Sequence, residues 1–200
     1  MMECFWIRHA PVQQTGCYTG QSDVAAIIPA RPAQLAYPLP ADALWFASPL
    51  RRAVQTAQWL MRSCQVDAEQ LQLAPELKEQ HFGAWEGRYY DEVWKTAEHS
   101  HDWSRPETIR PHGGESFADV CMRVDGWLEW LLAEQDGRSV VIVAHAGSIR
   151  AGLRHTIGMT PAQALIFKID YGSVTRIAYA PEKKACVNCV NRSGWEQAGV

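Results

Sequence analysis

The run at residues 139–144 (SVVIVA) restricts the fold more than any other feature, because it is rich in β-branched residues and shows no alternation of polar and apolar positions. A strand of this kind is covered on both faces, as in a parallel sheet between two layers of helices. Shorter apolar runs occur at residues 3–7 and 43–47. Helical stretches separate these runs, so the sequence predicts an α/β fold: a three-layer α/β/α sandwich, with a mostly parallel sheet and helices on both faces.

Helical periodicity marks the intervening stretches. Apolar residues recur every three or four positions over residues 116–134, which predicts a long helix packed on the sheet. A second helix is predicted from Ser48, as N-cap, to about residue 63, since Pro49 suits the first helical position. A third is predicted from Ser148 until Gly158 ends it. Two further strands, residues 173–180 and 185–191 joined by a turn at 181–183, predict a closing β-hairpin.

The length of 200 residues and the hydrophobic fraction of 47% fit a single domain spanning residues 1–200. Two irregular stretches interrupt the regular pattern. Residues 27–40 are rich in proline, and residues 99–116 contain two prolines and two adjacent glycines. Both are predicted to be loops over the candidate site, because neither has the length or low complexity of a linker.

The charge balance argues against broad polyanionic partners. Nineteen basic and 22 acidic residues give a net charge of −3, so no general attraction to nucleic acid or to an anionic membrane is expected. No apolar run reaches the roughly 18 residues of a membrane span, and Arg8 and His9 come too early for a signal peptide. We therefore expect a cytoplasmic protein whose six cysteines are reduced.

Histidine follows two predicted strands at their C-terminal ends, as His9 and His145. Either one alone is compatible with a structural, hydrogen-bonded imidazole. Because the carboxyl ends of parallel strands meet at one edge of a sheet, we expect the two side chains to lie together. Arg8 precedes His9, and Arg52 lies in the first turn of the helix after residues 43–47. Such a cationic cluster needs an anion among its members, and phosphate suits it in charge and in bidentate geometry.

Five blocks of sequence resemble those of the histidine phosphatase superfamily, which includes phosphoglycerate mutases and many small phosphatases. In chain order they are RHA (8–10), SPLRRAVQTA (48–57), LKE with FGAWEG (77–79 and 82–87), GGES (113–116) and AHAGSIR (144–150). The resemblance covers most of the chain and implies a phosphoglycerate mutase-like fold. The chain departs from the family at Ala10 and Ala146, where members commonly have glycine, and at Thr15, which stands near the place of a usual asparagine. The two methyl groups require ordinary φ values.

The resemblance implies a phosphomonoester hydrolase in which His9 is the nucleophile and forms a phosphohistidine. Arginine cations beside His9 would lower the pKa of its imidazole and keep it nucleophilic near neutrality. Glu79 is the implied proton donor to the leaving oxygen, so it must be neutral when substrate arrives. The expected catalytic residues are His9, Glu79 and His145, and the expected phosphate-binding residues are Arg8, Arg52, His145, Thr19 and Gly20.

Three further features have competing interpretations. Glu86, between a tryptophan and a glycine, is interpreted as a carboxylate that anchors a turn rather than as the acid. Residues 113–116 could present backbone amides to phosphate or could cap the following helix. Cys186 and Cys189 have the spacing of half a zinc site, but no second pair follows. The histidine chemistry requires no metal, and no metal or other cofactor is predicted.

The expected partner is a small-molecule phosphomonoester, and the oligomeric state is left open. Residues 17–23 and 82–92 most resemble the α-ribazole phosphatase-like branch, which implies α-ribazole 5′-phosphate and a role in cobalamin synthesis. The long insertion of the mutases is absent after Glu79, so water is the expected phosphoryl acceptor. Alternatives are a broad-specificity or sugar-phosphate phosphatase, a phosphoglycerate mutase, and a catalytically silent phosphate-binding module. Loop aromatic residues could stack on a flat base or belong to the core: Trp85, Tyr89, Tyr90, Trp94 and Trp103.

Overall fold

The computed structural model describes residues 1–31, 36, 38–97, 101–134, 137–180 and 184–195. Six strands form one sheet, in the spatial order β3-β2-β4-β1-β5-β6. They are β1 (Met2–Arg8), β2 (Leu44–Ala47), β3 (Leu71–Leu73), β4 (Val140–Ala144), β5 (Ser173–Tyr179) and β6 (Ala185–Ser193). Strands β1 to β4 are mutually parallel, β5 runs antiparallel to β1, and β6 runs antiparallel to β5. The predicted mixed α/β architecture with a mostly parallel sheet is confirmed.

Helices lie on both faces of this sheet. They are α1 (Arg51–Ser63), α2 (Tyr90–Ala97), α3 (Phe117–Glu134), α4 (Ala146–Ile157) and α5 (Pro161–Ala164). Alternate residues of β1 and β4 belong to two different cores. Trp6 and Ile142 pack with the apolar side chains of α3 and α4, whereas Ile7 and Val143 pack with those of α1. Burial on both faces explains why β4 shows no polar alternation in the sequence.

The helix starts differ from the predicted ones. Helix α1 begins at Arg51 without a side-chain cap, so the prediction of Ser48 as its N-cap is wrong. The Ser48 hydroxyl instead lies 2.8 Å from Nε2 of His145 and accepts from the backbone N–H of Leu50. Helix α4 begins at Ala146 rather than Ser148, because His145 alone separates it from β4. At α1 a long-range contact of Ser48 replaces the local cap, whereas at α4 the Ser148 hydroxyl accepts the backbone N–H of His145 at 3.1 Å.

The remaining elements follow the predicted order. Helix α3 starts one residue after the expected position, and β6 extends to Ser193 and completes the predicted hairpin. The expected turn of this hairpin, at 181–183, lies outside the described residues. So do parts of the two predicted loops, namely residues 32–35, 37 and 99–100. The short edge strand β3 and the helices α2 and α5 were not predicted. Within the described part of the chain, no helix is long and apolar enough to cross a membrane.

Candidate active site

A cavity of about 360 Å³ lies at the C-terminal edge of the parallel strands. The register pairs Arg8 of β1 with Ala144 of β4, so His9 and His145 leave the sheet side by side. The backbone N–H of His9 donates to the Ala144 carbonyl at 3.0 Å, and the two imidazole centroids are 5.0 Å apart. The structure therefore brings together the two histidines that end parallel strands.

The His9 imidazole is buried, with 4% of the residue exposed. Its Nδ1 lies 2.7 Å from the Ala10 carbonyl, an acceptor only, so Nδ1 carries the proton and Nε2 keeps its electron pair. The Arg52 Nε–H donates to that Nε2 at 3.1 Å. Burial, followed by the charges of Arg52 and Arg8, holds the pKa of His9 well below 6.5. Burial and the two guanidiniums consequently favour the neutral form of the ring.

Arg52 is the most deeply buried cation of the cavity, with 1% of the residue exposed. Its Nη1 donates to the Ser22 carbonyl at 2.8 Å and its Nη2 to the Gly20 carbonyl at 2.6 Å. Burial lowers the pKa of this guanidinium, and the more distant carboxylates, Glu79 first, oppose that shift. Because its hydrogen-bond partners are uncharged, Arg52 retains a strong attraction for an anion beside His9.

Thr19 and Gly20 were predicted to bind phosphate; in the structure, Gly20 contacts Arg52. Gly20 presents its carbonyl to Arg52, and both residues line the cavity. Gly20 has a φ of +51°, and a Cβ there would collide with the Glu86 carboxylate. Glycine is therefore required at this turn. Thr15 is exposed and does not line the cavity.

Arg8 adds a second guanidinium to the cavity, whereas His145, predicted to bind phosphate there, is buried beside His9 and is not among the residues that line the cavity. The Arg8 guanidinium carbon lies 3.7 Å from the centroid of the Tyr171 ring, and its Nη1 donates to the Ile169 carbonyl. Burial, then the neighbouring charges of His9, Arg52 and Arg8, lower the pKa of His145. Within the described residues, Nε of Arg8 and Nδ1 of His145 are buried without a hydrogen-bond partner. An anion in the cavity would supply acceptors for such atoms.

Glu79 borders the same cavity from the segment that follows β3. Its Oε1 accepts the N–H of Gly147 at 3.1 Å and that of Gln80 at 3.0 Å. A Cβ at residue 147 would collide with this carboxylate. Neither Ala10 nor Ala146 is among the residues with positive φ, so the two alanines fit their backbone. The glycine next to the candidate acid is Gly147, one residue beyond the position where family members commonly have glycine, and a side chain there would displace the Glu79 carboxylate.

The prediction that Glu86 anchors a turn is confirmed. Its Oε1 accepts the N–H of Gln21 at 2.8 Å, and its Oε2 accepts the Ser22 hydroxyl at 2.6 Å. Of the two roles considered for residues 113–116, the structure shows capping: Ser116 and Asp119 hydrogen-bond each other at the start of α3. Among the described residues, no cluster of His, Cys, Asp and Glu has the composition of a metal site, Cys186 and Cys189 included.

The aromatic residues divide into a cavity wall and an outer cluster. The wall is formed by Tyr18, Phe82, Tyr90, Phe117 and Tyr171, of which only Tyr90 was among the five loop aromatics considered. Outside it, Trp103 packs against Trp85 and Trp94, with ring centroids 6.5 and 4.7 Å apart. None of the five is fully buried, so they do not belong to the core, but only Tyr90 lines the cavity, and Trp85 and Trp94 pack against Trp103.

Sequence reasoning missed several residues of the cavity. Arg150 is half-buried and ends the AHAGSIR block, so the block itself was an available signal. Lys168 and Tyr171 lie before β5 and had no local signal. The described residues of the predicted covering loops, 27–40 and 99–116, do not line the cavity; the segment around Tyr18 and the segment before β5 border it instead.

Comparison with known proteins places this geometry in a family. The model of the histidine phosphatase superfamily (branch 1) matches residues 30–192, and the chain belongs to that superfamily. A bifunctional protein of Mycobacterium tuberculosis is 29% identical over 150 residues, which are 74% of this chain and 40% of the relative. An adenosylcobalamin/alpha-ribazole phosphatase of Escherichia coli K12 is 32% identical over 132 residues, 64% of this chain and 63% of the relative. The chain thus spans about two fifths of the first curated relatives that it matches.

Solved structures extend the similarity to nearly the whole chain. The alpha-ribazole phosphatase from Shigella flexneri is 28% identical, with a TM-score of 0.79 over 98% of this chain and all of that one. A mycobacterial glucosyl-3-phosphoglycerate phosphatase is 22% identical, with a TM-score of 0.77 over 97% and 100% of the two chains, and shares the fold. The predicted family and fold are confirmed.

Proposed function

We propose that the protein is a phosphomonoester hydrolase that acts through a phosphohistidine on His9. The observation that carries this proposal is the environment of the His9 imidazole. Its Nδ1 is tied to the Ala10 carbonyl, while its Nε2 faces the buried guanidinium of Arg52. A neutral nucleophile beside a buried cation suits attack on an anionic phosphoryl group. Residues 1–200 are proposed to form one domain, since a single sheet takes in both β1 and β6.

The proposed reaction has two steps. First, the electron pair on Nε2 of His9 forms a bond to phosphorus as the ester P–O bond breaks, and Glu79 gives its proton to the leaving oxygen. Arg8, Arg52 and His145 bind the equatorial oxygens on which charge accumulates. Second, water attacks the phosphohistidine, the P–N bond breaks, and the Glu79 carboxylate takes the proton of that water. Inorganic phosphate leaves and both side chains return to their starting states.

Trapping of the intermediate tests this proposal. Enzyme mixed with a ³²P-labelled phosphomonoester and quenched within milliseconds in alkaline detergent should carry label on the peptide that contains His9. Phosphohistidine survives alkali and is lost in acid, so the label should be alkali-stable and acid-labile. Turnover without any such label would refute the covalent route. Binding of phosphate with neither label nor turnover would identify a silent phosphate-binding module.

For the substrate we propose α-ribazole 5′-phosphate as the first candidate. The curated relative in Escherichia coli and the Shigella flexneri structure both carry the name alpha-ribazole phosphatase. The aromatic wall, formed by Tyr18, Phe82, Tyr90, Phe117 and Tyr171, suits the flat base of such a substrate. A sugar-phosphate or broad-specificity phosphatase is the second candidate, because Arg150 and Lys168 add cations to the cavity that suit further polar or anionic groups.

A panel of phosphate esters distinguishes the two candidates. If the aromatic wall selects the base, kcat/KM for α-ribazole 5′-phosphate should exceed that for ribose 5-phosphate by about tenfold or more, since one stacked aromatic pair contributes roughly 0.5–1.5 kcal/mol and several rings are available. Phosphoserine and 3-phosphoglycerate carry a second anionic group, so their kcat/KM values test whether Arg150 and Lys168 favour such substrates. Similar rates for all esters would contradict selection of the base and favour a broad-specificity enzyme.

A further inference from the structure

Arg123 of helix α3 lies outside the buried stripe of that helix, and its guanidinium contacts the segment that carries Glu79. We propose that Arg123 on this helix, paired with Glu115, is a positioning residue that holds Glu79 at the wall of the cavity. The inference rests on the proposed function, in which Glu79 transfers the proton. Arg123 does not line the cavity, so it would act only through Glu79.

The main chain around Glu79 is bound from two sides. Nη2 of Arg123 donates to the Glu79 carbonyl at 3.0 Å, and Nε2 of Gln21 donates to the same oxygen at 3.1 Å. Nη1 of Arg123 donates to the carbonyl of Glu76, three residues earlier. One guanidinium therefore holds both ends of the turn at residues 76–79.

Glu115 fixes that guanidinium and the segment after Glu79 together. Its Oε1 accepts Nε of Arg123 at 3.0 Å and its Oε2 accepts Nη2 at 3.1 Å, the fork-like geometry typical of strong arginine–carboxylate pairs. The same Oε2 accepts the N–H of His81 at 2.8 Å. The Glu115 carbonyl also accepts Nε2 of Gln80 at 2.7 Å. The Arg123–Glu115 ion pair therefore binds the main chain before Glu79, at residue 76, and the residues after it, at 80 and 81.

The position of the Glu79 carboxylate depends on the position of its own main chain. Its hydrogen bonds come from the backbone amides of Gly147, on α4, and of Gln80, in the segment held by Arg123 and Glu115. If the segment shifts, the carboxyl group moves relative to α4 and to the leaving oxygen. Misplacement of a catalytic group by about 1 Å can cost on the order of 100-fold in rate. Loss of Arg123 should therefore weaken proton donation in particular, while phosphate binding by Arg8 and Arg52 continues.

The variant Arg123→Met tests the inference, because it keeps the apolar stem and removes every one of these donors. We expect kcat for an alkyl phosphate to fall about 10- to 100-fold with little change in KM, and kcat for p-nitrophenyl phosphate to fall by less than about threefold. The reason is that p-nitrophenolate leaves without needing a proton. In a Glu79→Gln background the substitution should add no further loss specific to the alkyl ester, since both changes act on one group.

Arg154→Met is the matched control. Arg154 pairs with Asp125 of α3, and its side chain is 18% exposed compared with 20% for Arg123, but it lies outside the cavity. The ratio of the two ester rates should stay unchanged in this variant. If Arg123→Met fails to fold, Glu115→Gln keeps the shape of the pair, removes its charge, and should show the same selective loss in smaller measure.

Two results would overturn the inference. Equal losses on both esters in Arg123→Met, or the same selective loss in Arg154→Met, would show that Arg123 serves only general stability. Failure of the proposed function has a different signature: in that case Glu79→Gln itself would lack ester selectivity. Selective loss in Glu79→Gln without selective loss in Arg123→Met or Glu115→Gln would refute the positioning role alone.

Discussion

His9→Ala is expected to abolish phosphomonoester hydrolysis, with a loss in kcat on the order of 10⁴-fold or more, as is usual when a nucleophile is removed. Nε2 of His9 is the proposed attacking atom, and its place beside Arg52 is fixed by the bond from Nδ1 to the Ala10 carbonyl. Release of inorganic phosphate from an alkyl and an aryl ester measures the loss. Both esters should be affected equally, because neither can be attacked without the imidazole.

The control for this variant is His155→Ala. His155 is a half-buried histidine that contacts Asp125 and does not line the cavity. Its removal should leave turnover within a few-fold of the unaltered protein. Circular dichroism and thermal unfolding of His9→Ala would show whether the fold persists. Retained turnover, or labelled phosphate trapped on another residue of a folded His9→Ala protein, would contradict the assignment of His9.

Glu79→Gln is expected to slow esters of aliphatic alcohols far more than p-nitrophenyl phosphate. General acid catalysis contributes roughly 10²- to 10⁴-fold, and an alkoxide leaving group needs all of it, whereas p-nitrophenolate needs almost none. The amide of glutamine keeps an acceptor for the N–H of Gly147 but has no proton to transfer at the leaving oxygen. Steady-state kcat for the two esters, measured on the same preparation, gives the comparison.

Glu86→Gln is the control for Glu79→Gln, because Glu86 is a second carboxylate close to Glu79 in the sequence. Its contacts with Gln21 and Ser22 hold the turn whose carbonyls bind Arg52. Weakening that turn should affect binding of the phosphoryl group and reduce both ester rates alike. If Glu86→Gln discriminated between the esters and Glu79→Gln did not, the roles of the two carboxylates would be exchanged.

The sheet and its edge were accessible from sequence because they depend on local patterns. Apolar residues without alternation predict a strand buried on both faces, and β4 has that environment. His9 and His145 follow such strands directly, so parallel pairing was enough to bring them together. The stripe of α3 was predictable for the same reason, since its buried positions repeat at three and four residues.

Other parts of the site depend on contacts between residues far apart in the chain. Ser48 has the local features of an N-cap, but its hydroxyl lies against His145, 97 residues away. Tyr171 lies under Arg8 and lines the cavity, yet nothing near it in the sequence indicates a site. Arg123 faces the Glu79 carbonyl across 44 residues. The helical periodicity of α3 predicts which of its residues are buried. It does not predict which carbonyl groups accept hydrogen bonds from an arginine outside the buried stripe.

The pairing of Arg8 with Ala144 has a consequence for how such a protein diversifies. The spacing between His9 and His145 is set by the interval between adjacent strands, which is common to all parallel sheets. Tyr18, Phe82 and Tyr171, by contrast, lie in connecting segments outside the strands and helices. Segments of this kind tolerate substitution and insertion, whereas paired strand ends do not. In the proposed reaction, substitutions in these segments can therefore change which alcohol is accepted without altering the positions of Arg8 and His9.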